Sequence, residues 1–463
     1  MLDAVVVGAG PNGLAAALTL ARAGRSVTVL EANEVPGGGA RSVEATEPGV
    51  VHDHCASVVA LGLAGPFLPT VPGVDYASPA VEAAHPLDDE PAVLLHRDPA
   101  TTAAGLGTDG DRYLGSVGEL VRRWDVAGPL VLGPIARIPS SPFTSARLGR
   151  HLVAPAASII RRTDDGYGPL LAGMAAHGGM PLGTPLTAGV GLALLAAGHV
   201  AGWAFVAGGI GRLVDAMVAE LDDLGGQLHC GRPVRSADDL PDARVVLMDT
   251  SPGAAASVLG LRGRVGAALR GVRHGAGVWK VDWLLDGPIP WADPSVAEAG
   301  TVHLGGSAAE IGAALDAVAA GGHPERPYVL LTQPTVADPS RAPDGRHVAW
   351  AYCHVPNGST VDRTAAIEAQ VERFAPGFAD RVVARATLGP AGFEADNANL
   401  VGGDIANGAP TPGQLVARPR LSSVPWRLGD GAYLCSAATP PGPGIHGMCG
   451  VHAAESALAR ELA

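Results

Sequence analysis

The chain opens with two β-branched runs on either side of an apolar helical stretch. Asp3-Ala4-Val5-Val6-Val7-Gly8 is a short β-branched run bounded by glycine, the pattern of a buried parallel strand. Asn12 to Ala23 follows with helical spacing, and Gly24 stands where a C-cap would. Ser26 to Glu31 is the second run. Strand, helix and parallel strand in that order predict a right-handed βαβ unit.

Further along the pattern loosens. Residues 66–100 are rich in Pro and Asp with little periodicity, and residues 114–163 predict helices. Residues 208–226 predict a helix with Leu213, Met217 and Leu221 at a spacing of four. Residues 227–250 read as strand, turn and strand, returning the chain to the first sheet. Residues 277–285 and 346–355 are strand-like and belong to a second sheet; Ala365 to Phe374 predicts a helix. Tyr433 to Ala437 predicts a last strand and Cys449 to Leu462 a last helix. From Thr184 to Gly211 there is no Asp, Glu, Lys or Arg. That segment is only weakly apolar, and a spanning helix needs roughly 20 strongly apolar residues. A buried domain segment is the better reading.

The turn after the first strand carries the first chemistry. Gly8-Ala9-Gly10-Pro11-Asn12-Gly13 is GxGxxG between a strand and a helix. Gly8 permits the tight turn, Gly10 lets backbone approach a pyrophosphate, and Gly13 lets the helix pack close. The helix N-terminus faces the phosphates with partial positive charge. Glu31, followed by Ala32, ends the second strand 23 residues after Gly8, where a ribose hydroxyl acceptor belongs.

The cofactor follows from two more segments. Gly37-Gly38-Gly39-Ala40-Arg41-Ser42 resembles the GG motif of flavin enzymes in the amine oxidase and phytoene desaturase superfamily. In that motif the glycines pass the flavin and an arginine reaches the phosphates or the ring edge, a role the resemblance gives to Arg41. Near the C-terminus, Gly442 to Gly447 repeats GxGxxG and leads through Met448 into a helix. A helix start formed by Gly444, Ile445, His446, Gly447 and Met448 and aimed at flavin would stabilise the reduced ring.

With these motifs, and with residues 279–291, 301–306, 338–356, 372–378, 397–405 and 433–450, the chain resembles the phytoene desaturase-like FAD oxidoreductases over nearly its whole length. More narrowly it is similar to the subgroup called pyridine nucleotide-disulphide oxidoreductase domain-containing protein 2. The resemblance implies FAD as cofactor, with adenine near Val234. The fold class expected is α/β: an interrupted Rossmann-like FAD-binding domain of the glutathione reductase/amine oxidase type, plus an α+β substrate domain with a mixed sheet and helices. Residues 1–85, 207–260 and 395–463 are assigned to the first, and 86–206 and 261–394 to the second.

Composition removes several alternatives. Lys plus Arg number 32 against 45 Asp plus Glu, a net charge of −13. With no basic block, nucleic acid is not an expected partner. Five scattered cysteines without CxxC give no disulfide framework and no metal site, and they lack the dithiol of flavin disulfide reductases. They fit a cytoplasmic setting, and no signal peptide is visible at the N-terminus. Cys55, Cys435 and Cys449 fall near the flavin by motif position and read as small buried hydrophobes.

The candidate catalytic residues are Lys280, His446 and Asp404. Lys280 is the only lysine in the sequence and shares a strand face with Val278 and Asp282. It resembles the lysine that holds a water near flavin N5 in amine oxidases; a solvated strand face is the other reading. The aromatic cage of amine oxidases has no evident counterpart, which weighs against an amine. His446 is either a donor at the flavin edge or a helix cap. Asp404, close to Asn399, is either a buried base or part of the Gly402-Gly403-Asp404 turn. His199, Trp203 and His303 are candidates for the substrate pocket.

The expected activity is hydride transfer to flavin N5 from a C–C or C–N bond of a largely apolar, polyene-like small molecule. Without a separate NAD(P)H unit, oxygen or a quinone is the expected electron acceptor. A redox-neutral isomerase or hydratase, and a non-catalytic FAD-bound scaffold, are the alternatives. A peripheral membrane contact and a homodimer are both compatible with apolar surface around the pocket entry.

Overall fold

The computed structural model describes residues 1–134 and 141–463. The elements that position the site are β1 (Leu2–Val7), α1 (Pro11–Arg22), β2 (Val27–Leu30), α2 (Tyr167–Ala176), α3 (Thr187–Ala201), β3 (Ala243–Met248), β4 (Gly277–Leu285), β5 (His347–Val355) and α4 (Met448–Arg460). The expected helices over 114–163 are present at Gly110–Arg122, Trp124–Val131, Pro142–Leu152 and Ala156–Ile160, and residues 135–140 lie outside the described residues.

The first sheet has six strands in the order Arg427–Gly429, Ala432–Leu434, β3, β1, β2, Gln227–His229. β1 pairs in parallel with β3 on one side and β2 on the other. Its side chains alternate between two cores. Ala4 and Val6 pack with α1 and α4, while Val5 and Val7 pack with Met248, Ala255 and Leu269 on the opposite face. Burial on both faces is why the run contains no polar residue between Asp3 and Gly8. Gly24 closes α1 with φ +73, a backbone state that glycine adopts without strain.

The second sheet has seven strands in the order Val382–Leu388, β4, β5, Val329–Thr332, Ala299–Leu304, Val81–His85, Val93–Leu95. It is mixed, because Val81–His85 runs parallel to Ala299–Leu304 within an otherwise antiparallel array. Val81–His85 falls in the stretch that reads as aperiodic and inside the first segment assigned to the cofactor domain. The chain therefore leaves the first sheet before Val81. Val81-Glu82-Ala83-Ala84-His85 has one β-branched residue, so pairing with a neighbour, rather than local propensity, makes it a strand.

Helices α2 and α3 cover one face of this sheet. They are apolar on all sides and mostly buried, as their charge-free sequence requires. A Cβ on Gly191 would stand 2.8 Å from Leu171 and 3.1 Å from the Ala175 nitrogen, so glycine allows the two helices to touch. Among the described residues, no helix is long and apolar enough to cross a membrane.

A fully buried arginine ties together two short ribbons, Ser42–Val43 with His52–Asp53 and Tyr76–Ala77 with Phe205–Val206. Arg341 donates to Asp53 Oδ2 at 2.8 Å, to Asp338 Oδ2 at 2.9 Å and to the Val206 carbonyl at 2.9 Å. Asp53 also accepts from the Ile210 amide at 2.9 Å and the Ser57 hydroxyl at 2.5 Å, and Asp338 accepts from the Gly208 amide at 2.7 Å. Trp350 of β5 donates to Ser57 Oγ at 2.8 Å. Removing one partner of such a cage leaves buried charge uncompensated. Arg341→Met is expected to cost about 3–5 kcal/mol in a denaturant titration. Arg212→Ala, which removes an exposed pair with Asp215, should leave the unfolding midpoint nearly unchanged.

Candidate functional site

The glycine loop after β1 is built by steric exclusion. A Cβ on Gly13 would run into the Gly8 carbonyl oxygen, and one on Gly8, which has φ +102, would lie 2.7 Å from the Asp249 carbonyl oxygen. Gly10 is the N-cap of α1 and supplies no side chain to its amides, and Pro11 takes the first helical position. Glu31 at the end of β2 accepts from the Ala9 amide at 2.7 Å and the Asn33 amide at 2.9 Å. The Arg232 amide donates to the Glu31 carbonyl at 2.8 Å, which brings partly buried Val234 beside the end of β2; Ala32 there is exposed.

The second glycine loop lies against the first. A Cβ on Gly38, which has φ +53, would stand 3.2 Å from the Gly10 Cα. The Gly37 amide donates to the Ala9 carbonyl at 2.8 Å. Gly39 faces Cys55, and Ala40 is fully buried. From the far end of the chain, α4 packs across the start of α1, and a Cβ on Gly450 would run into the Asn12 carbonyl oxygen. All three glycine segments therefore converge on the N-terminus of α1.

One observation fits that point to an anionic dinucleotide. The Asp249 carboxylate stands in for an anion, accepting from the Gly13 amide at 2.9 Å. Burial pushes Asp249 up to about 7, with Glu31 adding to the shift and the Gly10 and Gly13 amides opposing it. Asp249 was not among the sequence candidates. Its available signal is an acid at the end of an apolar run that pairs beside the glycine strand.

Beyond the loops lies a charged cluster. Arg41 donates to the Gly38 carbonyl at 2.9 Å and to Asp396 Oδ2 at 2.5 Å. His54 Nε2 is 2.7 Å from the same oxygen. Burial holds His54 below its ordinary range; Asp396 opposes the shift, while Arg41 and Lys280 add to it. Burial pushes the Cys55 thiol up to about 11 against the pull of Lys280 and Arg41, so Cys55 is a thiol. Lys280 is 2% exposed, so its strand face is not solvated. Its Nζ donates to both Asp282 oxygens, 2.5 Å from Oδ1, and sits 5.1 Å from the centre of the Trp350 ring. Burial disfavours the Asp282 carboxylate, but Lys280 and His52 outweigh it and hold its pKa below the usual range.

The other candidates occupy structural places. Asp404 accepts from the Gly275, Ala406 and Gly408 amides at 2.8, 2.9 and 2.9 Å, with His274 Nδ1 at 3.5 Å. Burial opposes its ionisation, but the His274 ring and these amides together hold it low, which suits a turn-forming acceptor and not a base. His446 Nδ1 accepts from the Met448 amide at 3.0 Å, the geometry of a cap on α4. Burial pushes His446 down to about 4, reinforced by His452 and opposed by the Gly442 and Pro443 carbonyls.

The three pocket candidates divide. His199 bonds Tyr113 at 2.5 Å and the Arg97 carbonyl at 3.0 Å inside the helical layer. Trp203 and His303 instead meet across His177, whose ring stands edge-on to both at 6.1 and 5.0 Å.

Comparison with known proteins places this geometry. A model described as an NAD(P)-binding Rossmann-like domain matches residues 6–65. The chain is 26% identical to pyridine nucleotide-disulfide oxidoreductase domain-containing protein 2 of Mus musculus, over 98% of this chain and 92% of the mouse protein. It is 61% identical over 41 residues to hydroxyneurosporene desaturase of Rhodobacter capsulatus, 9% of this chain and 8% of that one. An oxidoreductase from Methanosarcina mazei has the same fold, with TM-score 0.67, 16% identity, and coverage of 99% of this chain and 100% of that one. Putrescine oxidase bound to putrescine gives TM-score 0.62 and 18% identity over 99% of this chain and 98% of that one. The amine-oxidase type of fold and its mixed second sheet are those expected from the sequence.

The buried histidines set the pH response. Burial pushes both His85 and His446 down to about 4. Between that value and the unfolded pKa of about 6.5 the unfolded chain binds more protons, so stability falls as pH falls. Asp249, raised to about 7, acts in the opposite sense across that window, and Glu82, which burial raises, adds to it, two groups against several histidines. The denaturant midpoint of the flavin-free chain should therefore drop steadily on acidification from neutrality to about pH 4.5, and Asp249→Asn should steepen the drop.

Proposed function

We propose that this phytoene desaturase-like flavoprotein is an FAD-dependent oxidoreductase that removes hydride from a C–C or C–N bond of a largely apolar small molecule. One observation carries the reading. Glycine segments from both ends of the chain meet at the start of α1, and the charged cluster that continues from them reaches buried Lys280. A nicotinamide site built on the βαβ unit alone would need neither the second loop nor α4.

In this reading Glu31 takes a ribose hydroxyl, and the amides of α1 take the pyrophosphate, displacing the Asp249 carboxylate. Arg41 supplies positive charge beyond the second loop, and the capped start of α4 turns oriented amides toward the ring. When bound, FAD supplies the two-electron acceptor, and oxygen or a quinone reoxidises it. The substrate side is apolar and aromatic: Val278, Leu330, Tyr328, Tyr352 and Trp350 belong to one buried cluster with α2 and α3. Such walls exclude water and favour a substrate with little charge. The desaturase relative and the putrescine oxidase neighbour support oxidation at carbon–carbon and carbon–nitrogen bonds, respectively.

The test begins with native apolar molecules extracted from the purified protein. Mixed anaerobically with the flavin-loaded chain, the substrate should bleach the visible flavin bands. Turnover without bleaching would overturn the oxidative reading. Lys280→Met should keep its flavin and lower the rate of bleaching on the order of 10²-fold, the usual contribution of a positioned proton-transfer group.

A further inference from the structure

Lys280 is not isolated in its pocket. It begins a line of polar groups through an otherwise apolar interior. Its Nζ donates to Asp282. Asp282 Oδ1 lies 3.4 Å from His52 Nδ1, and His52 Nε2 lies 2.8 Å from Thr46 Oγ1. Lys280, Asp282 and His52 are 2%, 5% and 0% exposed, whereas Thr46 is half-buried and opens toward the surface. The remaining groups facing the line are His54, Cys55 and Arg41 beside Lys280, Trp350 and Tyr352 on the adjoining strand, and the Glu47–Arg346 pair next to Thr46.

A salt bridge alone does not account for this arrangement. The Lys280–Asp282 pair is electrically complete without a third member. Yet a fully buried histidine reaches from Asp282 to a hydroxyl at the chain's periphery. Its Nδ1 has no other partner. Its position is fixed, because His52 pairs with Val43 in a short ribbon and the next residue, Asp53, is held by Arg341. A 3.4 Å contact tightens to hydrogen-bond length with a small shift, as such bonds do when a site is occupied.

We propose that Lys280, Asp282, His52 and Thr46 form a proton path from the reaction site to solvent. The inference rests on the oxidoreductase reading, which requires a proton to leave the substrate along with each hydride. Lys280 takes that proton at Nζ as it passes one of its own to Asp282. Asp282 hands a proton to His52 Nδ1, and His52 Nε2–H gives one to Thr46, whose hydroxyl passes one to water. One proton enters and one leaves, each group regains its starting charge, His52 returns from its Nδ1–H to its Nε2–H tautomer by a turn of its ring before the next cycle, and no electrons move along the path. FAD, when bound, would supply the acceptor for the electron pair, with oxygen or a quinone as the final oxidant. Lys280 is the group that touches the reacting atoms; Asp282, His52 and Thr46 act through it.

Because Lys280 is the only lysine, lysine-selective ¹⁵N labelling of the full chain puts a single ammonium signal in the NMR spectrum. The exchange rate of its protons with water reads the path without any substrate. His52→Gln and Thr46→Val should each slow exchange on the order of 10²-fold, and Thr46→Ser should restore it. Thr46→Val alters a half-buried side chain, so it keeps the test decisive even where His52→Gln disturbs folding. Equal exchange in wild type and Thr46→Val would overturn the path. Flavin content of the same samples separates the two claims. Flavin present with exchange insensitive to Thr46 overturns the path alone. Flavin absent with exchange sensitive to Thr46 overturns the oxidoreductase reading and leaves the proton conduit standing.

Discussion

Arg341 is the constraint on which the rest of the site depends. Its guanidinium has no access to water, and placing a charge there costs several kcal/mol unless neighbours replace its hydration. Two carboxylates and a backbone carbonyl do so, and they come from three distant parts of the chain. The geometry then propagates in two directions. Asp53 holds its sequence neighbour His52 toward Asp282, and through Ser57 it holds Trp350 under the Lys280 ammonium. Both walls around Lys280 are thus set by one ion cage that ties two short ribbons together.

The cofactor end of the molecule is organised differently, by the absence of side chains. Gly13 against Gly8, Gly38 against Gly10 and Gly450 against Asn12 are approaches that a single methyl group would block. They gather three chain segments around one helix start that has no side-chain cap of its own. Asp249 fills that vacancy electrostatically but at a cost, because its carboxylate is buried near Glu31. A pyrophosphate bound as proposed would compete with an ionised Asp249 for the same amides, which would link cofactor binding to the protonation or displacement of Asp249.

How much of this was legible depended on whether the information was local. The βαβ unit could be read because each glycine and Glu31 has a stereochemical task within one supersecondary unit. Strand alternation put Lys280 and Asp282 on one face. It did not show that Asp282 grips the lysine, nor that His52 arrives from a separate ribbon to meet it. Asp249 escaped notice because it reaches Gly13 from 236 residues away, and no local pattern marks such an encounter. The histidine and acid near the C-terminus looked chemical by type, yet His446 caps a helix and Asp404 closes a turn. Val81–His85 lacked strand signals because its partner, Ala299–Leu304, supplies the reason for its conformation.

The central claim is that both ends of the chain build one FAD site. Calorimetric titration of FAD into the flavin-stripped protein, alongside Gly450→Val, tests it most directly. The account predicts one FAD per chain for the wild type. It predicts loss of binding in Gly450→Val, where the added side chain pushes α4 away from Asn12 although it lies far in sequence from the first glycine loop. Wild type that takes up NAD(P)H but not FAD, or a Gly450→Val chain that folds and binds FAD as the wild type does, would contradict it.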